Sequence, residues 1–122
     1  MSNDQINDTR LNELINNLVD NQLIIVKFTA EWCGPCQGIK SLVEEQVKLL
    51  PDSVQFYEID IDESLELYMK LKQKKMVNGI PAILAYKSIE DKEYWYVPDD
   101  SVLGANKNNV TEFFNRCIQY SK

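Results

Sequence analysis

Apolar residues change their spacing along the chain, and each change predicts a new element. The first apolar set has the spacing of one face of an amphipathic helix behind a capping Asp8: Leu11, Leu14, Ile15 and Leu18. The run QLIIVKF, residues 22–28, is then continuously apolar and rich in β-branched side chains, except for Lys27. Such a run predicts a strand that is buried on both faces.

Helices and strands alternate through the rest of the chain. A helix is predicted from Cys33 onward, with Pro35 in its first turn, Pro51 beyond its end and this apolar face: Ile39, Leu42, Val43, Val47 and Leu50. VQFYEIDI predicts a strand, ESLELYMKLK a helix, and AILAYK and KEYWYV two strands separated by SIED. A last helix has its own apolar face: Val110, Phe113, Phe114, Cys117 and Ile118. The order α-β-α-β-α-β-β-α predicts an α/β fold with a central mixed β-sheet flanked by helices.

Length and charge limit the function classes. With 122 residues, the chain is expected to form one domain over 1–122, with a loose N-terminal segment at 1–8. The net charge of -6 argues against nucleic acid or a membrane as partner and favours a protein or small molecule. No apolar run is long enough to span a bilayer, and the N-terminus lacks the pattern of a signal peptide, so we expect a cytoplasmic monomer.

Two of the three cysteines lie close together in TAEWCGPCQG, at Cys33 and Cys36. A closed zinc site needs four ligands, and the chain has no histidine and one further cysteine, Cys117. We therefore expect no metal site within the chain. A cluster shared between two chains and a pair of inert buried thiols remain alternatives to a redox pair.

A redox pair accounts for each position of this motif. The predicted helix start favours a thiolate at Cys33 through its free amides and dipole. Gly34 leaves the backbone open to a close approach, and Pro35 sets a helical φ where no amide hydrogen bond is needed. The motif therefore favours thiol-disulfide exchange.

Pro81, in NGIPAIL, stands directly before an apolar strand. Together with WCGPC, this arrangement resembles the thioredoxin family from about Leu11 to Ile118. The resemblance implies a thioredoxin fold, a cis Ile80-Pro81 bond, an exposed attacking Cys33 and a buried resolving Cys36. It also implies a protein-disulfide reductase that acts on protein disulfides, is recharged by a thioredoxin-reductase-like electron donor and needs no cofactor beyond the redox-active disulfide.

The same resemblance implies a substrate groove with these residues: Trp32, Gly34, Pro35, Ile61, Gly79, Ile80, Pro81, Leu103, Gly104 and Ala105. The segment KSIEDKEYWYVPDDSVLG, which ends at Leu103 and Gly104, is longer than in typical thioredoxins. Gly-Pro between the cysteines resembles the reducing branch of the superfamily. A disulfide oxidase or isomerase, and a non-catalytic binding module, are the alternative functions.

Several residues depart from the family pattern. Lys27 stands where thioredoxins usually carry a buried acid, and Glu58 where they carry its lysine partner, which predicts a pair of reversed order with a catalytic role. The alternative is that Lys27 snorkels to solvent. Ser41 in place of a proline predicts a less kinked active-site helix. Cys117 is expected to be a buried small hydrophobe rather than a redox switch.

Overall fold

The computed structural model describes residues 6–89 and 92–122. A sheet of four strands occupies its centre, in the order β2-β1-β3-β4. The strands are β1 (Leu23–Thr29), β2 (Val54–Asp60), β3 (Ala82–Tyr86) and β4 (Asp100–Leu103). The β1-β2 pair is parallel and the other two pairs are antiparallel. The predicted mixed sheet of an α/β fold is therefore confirmed.

Helices cover both faces of this sheet and complete two apolar clusters. They are α1 (Asp8–Asn16), α2 (Gly34–Gly38), α3 (Lys40–Lys48), α4 (Leu65–Gln73) and α5 (Lys107–Tyr120). The α1/α4 cluster packs those helices against one face of β1, including Val26 and Phe28. The α3/α5 cluster packs the other helices against the opposite face, including Leu23 and Ile25. None of the helices in the described ranges is long and apolar enough to cross a membrane.

The start of α1 differs from its prediction. Asn7, not Asp8, caps the helix, because its side-chain oxygen accepts a hydrogen bond from the backbone N–H of Arg10 at 2.8 Å. Asp8 is the first helical residue, and a hydrogen bond from Lys70 lowers the pKa of its carboxyl group. The expected loose segment 1–8 is also too long, since Ile6 is buried; residues 1–5 lie outside the described ranges.

The expected continuous helix after Cys33 is wrong, because α2 and α3 are separate helices joined at Ile39. The N–H of Ile39 turns back to the carbonyl groups of Cys36 and Gln37, which closes α2 after one turn. Gly38, with its low helix propensity, ends that turn, and the Ile39 side chain is buried in the α3/α5 cluster. A proline at position 41 is therefore not needed for the break.

The last strand was also predicted at the wrong place. KEYWYV, residues 92–97, forms turns, and β4 begins later, at Asp100. The N–H of Val97 bonds to the carbonyl of Tyr94 at 3.3 Å, and the Lys92 ammonium binds the carbonyl of Val97 at 2.9 Å. The rings of Trp95 and neighbouring Tyr96 pack against the α1/α4 cluster from this loop. Two residues of the predicted SIED linker, 90 and 91, lie outside the described residues.

Candidate functional site

The cysteine pair lies where the chain leaves β1 and begins α2. Cys33 is the N-cap of α2, and its Sγ accepts a hydrogen bond from the N–H of Cys36 at 3.2 Å. The two residues form a disulfide with a Cα–Cα distance of 5.3 Å. The interpretation of two inert thiols is therefore wrong.

Cys33 and Cys36 differ less in exposure than the prediction of an exposed Cys33 implied. The exposed fraction is 5% for Cys33 and 1% for Cys36. Cys33 is thus largely covered in the oxidised form, although its exposed fraction is the larger one. The flanking Gly34 and Pro35 are exposed, so a partner chain can approach the disulfide from their side.

Two further segments lie at the end of the sheet where β1 leads into the disulfide. The Ile80-Pro81 bond is cis, as predicted. The carbonyl of Pro81 accepts a hydrogen bond at 2.9 Å from the N–H of Gly104, which has a φ of +94°. Leu103 pairs with Ala82 across the two strands and is 41% exposed. The Pro81 loop and the Leu103-Gly104 turn therefore form one continuous border.

The other predicted groove residues lie directly after β2, directly before Pro81 and directly after Gly104. Ile61 is buried, and its N–H bonds to the carbonyl of Thr29 at the end of β1, at 3.0 Å. Gly79 and Ile80 are half-buried beside Pro81. Ala105 is half-buried and packs against the α3/α5 cluster.

Trp32 lies beside the disulfide and has a partner that sequence reasoning missed. Its ring is 67% exposed, and its Nε1–H donates a hydrogen bond to the Asp62 carboxylate at 2.8 Å. Asp62 follows the end of β2, and the parallel strands β1 and β2 bring their carboxyl ends to the same edge of the sheet. That shared edge is the signal that could have found Asp62.

Lys27 and Glu58 are register neighbours on β1 and β2, and they form an ion pair. The Nζ–Oε2 distance is 3.6 Å, the Lys27 side chain is 2% exposed and the Glu58 side chain is 34% exposed. The expected lysine-acid pair is confirmed, and the interpretation of a snorkelling Lys27 is wrong. Strand alternation places Lys27 on the face of the α3/α5 cluster, whereas both disulfide cysteines pack with the α1/α4 cluster.

Cys117 is a buried free cysteine on the apolar face of α5. Burial, helped by the negative charge of Asp100, raises the pKa of its thiol to about 12. The thiol is thus protonated at neutral pH, and the prediction of a small hydrophobe is confirmed. Within residues 6–89 and 92–122, no group of three or more histidine, cysteine, aspartate or glutamate side chains is arranged to hold a metal ion.

Comparison with known proteins places this site in a family. The thioredoxin family model matches residues 3–114. The chain belongs to the thioredoxin family. It is 34% identical over 92 residues to thioredoxin of Geodia cydonium, a match that covers 75% of this chain and 76% of that relative. It is 29% identical over 115 residues to thioredoxin of Rickettsia prowazekii, a match that covers 93% of this chain and 99% of that relative.

Solved structures show the same fold. Fasciola hepatica thioredoxin superimposes with a TM-score of 0.67 at 29% identity, covering 90% of this chain and 93% of that one. The thioredoxin fold is thus confirmed, and with it the identity of the chain as a thiol-disulfide oxidoreductase of the protein-disulfide reductase class. Thioredoxins act on protein disulfides and are in turn reduced by thioredoxin reductase.

Proposed function

We propose that this thioredoxin reduces protein disulfides with Cys33 as the attacking residue and Cys36 as the resolving one. The observation that carries this assignment is the position of Cys33 at the N-cap of α2, beside the exposed Gly34 and Pro35. The helix N-terminus stabilises the thiolate form of Cys33 in the reduced protein.

The proposed reaction has two exchange steps. The Cys33 thiolate attacks one sulfur of the substrate disulfide, so that a mixed disulfide forms and the other substrate sulfur leaves as a thiolate. Cys36 then gives up its proton and attacks the Cys33 sulfur, which releases the second substrate thiolate. Two electrons pass to the substrate, its sulfurs take up two protons at neutral pH, and the chain returns to its Cys33-Cys36 disulfide.

A thioredoxin-reductase-like donor is proposed to restore the dithiol. We infer that the chain works as a monomer in the cytoplasm, without a cofactor beyond the disulfide and without nucleic-acid or membrane partners. A reducing compartment suits a pair that must be reopened after each cycle, and the charge of -6 opposes polyanionic partners.

The substrate is proposed to lie extended across the border formed by Trp32, Pro81 and the Leu103-Gly104 turn. The exposed ring of Trp32 and the exposed side chain of Leu103 supply apolar contact. The backbone at Gly79 and Ile80 supplies hydrogen bonds to an extended chain. The remaining groove residues are also proposed to border the bound substrate: Gly34, Pro35, Ile61 and Ala105.

Lys27 and Glu58 are proposed to assist the second exchange step. Lys27 and Cys36 lie on opposite faces of the sheet, so the Lys27 ammonium is proposed to favour a thiolate at Cys36 through its positive charge alone and not by contact. Glu58 reaches the groove between α3 and β2 and is partly exposed, which supports a route for a proton between the interior and solvent. In the family pattern the buried strand residue is an acid and its partner a lysine. Here the charges are exchanged, so Lys27 supplies the positive charge and Glu58 the route for the proton.

Insulin reduction driven by dithiothreitol tests the activity, and single cysteine variants test the roles. Cys33→Ser should abolish turnover, whereas Cys36→Ser should retain attack and trap mixed disulfides with client proteins. Cys117→Ser is the matched control and should keep turnover. Adducts that form through Cys36 in the Cys33 variant, with none through Cys33, would reverse the assignment.

The dithiol potential separates reduction from the alternative functions. A value near that of thioredoxin, about -270 mV, is expected for a reductase. A potential near about -120 mV, as in a strong oxidase, would favour the oxidase alternative. Absence of any exchange by the intact dithiol would favour the binding module.

A further inference from the structure

A groove of about 440 Å³ lies between the start of α4 and the segment that leads into α1. Its walls combine apolar and acidic side chains, among them Ile6, Asp62, Leu65, Glu66 and Leu67. Leu65 is 54% exposed and offers apolar surface to a ligand, whereas Ile6 and Leu67 are almost fully covered and support the groove from behind. Asp62 and Glu66 are exposed, so their carboxylates lie toward solvent.

This groove adjoins the reactive disulfide through one side chain. The Asp62 carboxylate that lines it also accepts the 2.8 Å hydrogen bond from Trp32. Trp32 directly precedes Cys33, and a second carboxyl residue, Glu31, is exposed on its other side in sequence. A substrate segment bound along Trp32 therefore passes the mouth of the groove.

The charges around the disulfide have one sign on this side. Segments 29–39, 60–66 and 76–82 contain Glu31, Asp60, Asp62, Glu63 and Glu66 but neither lysine nor arginine. Lys70, one turn beyond Glu66 on α4, is ion-paired with Asp8 at 2.9 Å. Three lysines lie just beyond the border segments in sequence: Lys40, Lys75 and Lys107. Lys107 follows β4, and the strand order puts β4 and β2 on opposite edges of the sheet.

We propose that this groove is a specificity subsite for a lysine or arginine side chain of the substrate, close to the disulfide that is reduced. A long cationic side chain needs an apolar wall for its methylene groups and an acceptor for its charged end. Leu65 provides the first, backed by Ile6 and Leu67, and Asp62 and Glu66 provide the second. The inference deepens the proposed function, because it names the substrate class that the Cys33 site prefers.

The subsite acts on capture and orientation of the substrate, not on the exchange chemistry. Complementary charge raises the rate of productive encounter and suppresses partners with like charge. Because the acids lie at the β2 edge of the site, a substrate with its basic residue on one side of the attacked cysteine is favoured in one direction. The preference is therefore expected to depend on salt.

Three peptides with one intramolecular disulfide, identical except for a lysine, glutamine or glutamate beside the attacked cysteine, test the proposal. The measurement is the second-order rate constant for their reduction by the reduced protein. The lysine peptide should react about fivefold faster than the glutamate peptide at low salt, with the ratio falling toward one at high salt. An Asp62→Asn/Glu66→Gln variant should reduce the ratio to less than about twofold, while the Asn side-chain oxygen can still accept the Trp32 bond.

The matched control is Glu13→Gln/Glu45→Gln, which removes two exposed acids from α1 and α3 with the same change in net charge. It should keep the wild-type ratio. A wild-type ratio near one, or an equal loss in the control, would overturn the subsite. The glutamine peptide separates the two proposals. If the wild-type protein does not reduce it, the reductase function itself is contradicted. If it is reduced at a normal rate but lysine gives no preference, the subsite alone is contradicted.

Discussion

The stability cost of removing Lys27 or Glu58 depends on how deeply each charge is buried. The sequence pattern predicts a pair of charges and does not distinguish the exposure of Lys27 from that of Glu58. The structure makes them unequal, since the Lys27 side chain is 2% exposed and that of Glu58 34%. Loss of Glu58 strands a buried ammonium, whereas loss of Lys27 leaves a carboxylate that can turn toward water.

A double-mutant cycle should show this asymmetry. We expect Glu58→Leu to lower the free energy of unfolding by about 2 to 4 kcal/mol and Lys27→Leu to change it by less than about 1 kcal/mol. The double variant should recover most of the loss, because no charge then stays buried. Denaturant unfolding provides the measurement.

The surface pair Arg10-Glu13 is the matched control for this cycle, with the same 3.6 Å separation but exposed fractions of 54% and 59%. Its coupling energy should be near zero. If the Lys27-Glu58 coupling is equally small, the buried ion pair has no energetic role.

Cys117 leads to a prediction about alkaline stability. Its pKa is raised to about 12 from an ordinary 9.0, so the native thiol keeps a proton that the unfolded chain loses above pH 9. The contribution of this residue is therefore complete below pH 9 and is lost between pH 9 and pH 12. Urea unfolding of the oxidised protein at several pH values should show the wild-type advantage over Cys117→Ser shrinking by up to about 1.4 kcal/mol per pH unit above that point.

Tyr86 must be considered in the same measurement, because burial also raises its pKa above the ordinary 10.0. It remains in both proteins, so the difference between wild type and Cys117→Ser isolates the thiol. A difference that stays constant from pH 8 to about pH 11 would show that the Cys117 thiol does not hold its proton more tightly in the folded protein.

Some residues of the site could be predicted from their neighbours in sequence, and others could not. Cys33, Cys36 and Pro81 lie in short motifs whose spacing carries the chemistry. Asp62 has no such motif, because its contact with Trp32 depends on the pairing of β1 with β2. The exposure of Glu58 likewise depends on its position on the edge strand β2, which a linear pattern does not show.

At the scale of elements, the break between α2 and α3 is the main departure from the predicted helix. Apolar periodicity continues through Ile39 and Val43, so the pattern predicts one helix even though the backbone turns at Ile39. Periodicity reports which side chains face the core, and it does not report a local change of hydrogen bonding. The glycine at position 38 was the available indication of the break.

Two glycines should therefore respond to alanine in opposite directions. A Cβ at Gly38 would meet nothing within 4 Å and the residue has no positive φ, so Gly38→Ala should stabilise the protein by about 0.5 to 1 kcal/mol. Gly104 is equally uncrowded but has a φ of +94°, so Gly104→Ala should cost about 1 to 2 kcal/mol. Denaturant midpoints of the two variants give the comparison, and equal shifts of one sign would contradict it.

The misplaced last strand has a different origin. KEYWYV has the alternation and aromatic content of a strand, but its aromatic side chains serve the α1/α4 cluster from a loop. Lys92 contributes by holding the carbonyl of Val97 and the carboxylate of Asp99, each through its ammonium group. β4 begins with Asp100, a residue that strands disfavour, and is recognisable through its pairing with β3.

At the scale of the whole molecule, the two apolar clusters share the central sheet. Alternate side chains of β1 enter opposite clusters, so neither cluster can lose its packing without disturbing β1. The disulfide and residues 92–97, which we call the aromatic loop, lie at opposite ends of β3. Pro81, on the disulfide side, precedes the strand, and Lys87, which leads to the loop, follows it. Both ends thus depend on the same strands.

This dependence predicts one cooperative unfolding transition across the molecule. The chain has two tryptophans, at opposite ends of β3. Trp32 lies beside the disulfide, and Trp95 lies in the loop after β3, with the centroid of its ring 5.9 Å from the ammonium of Lys70 on α4. Trp32→Phe and Trp95→Phe leave one reporter each. Their fluorescence transitions in denaturant should coincide with the loss of helix followed by circular dichroism in the same variant, since a single domain of this size normally unfolds in one step. A Trp95 transition that clearly precedes the loss of helix would instead show that the aromatic loop unfolds separately from the domain.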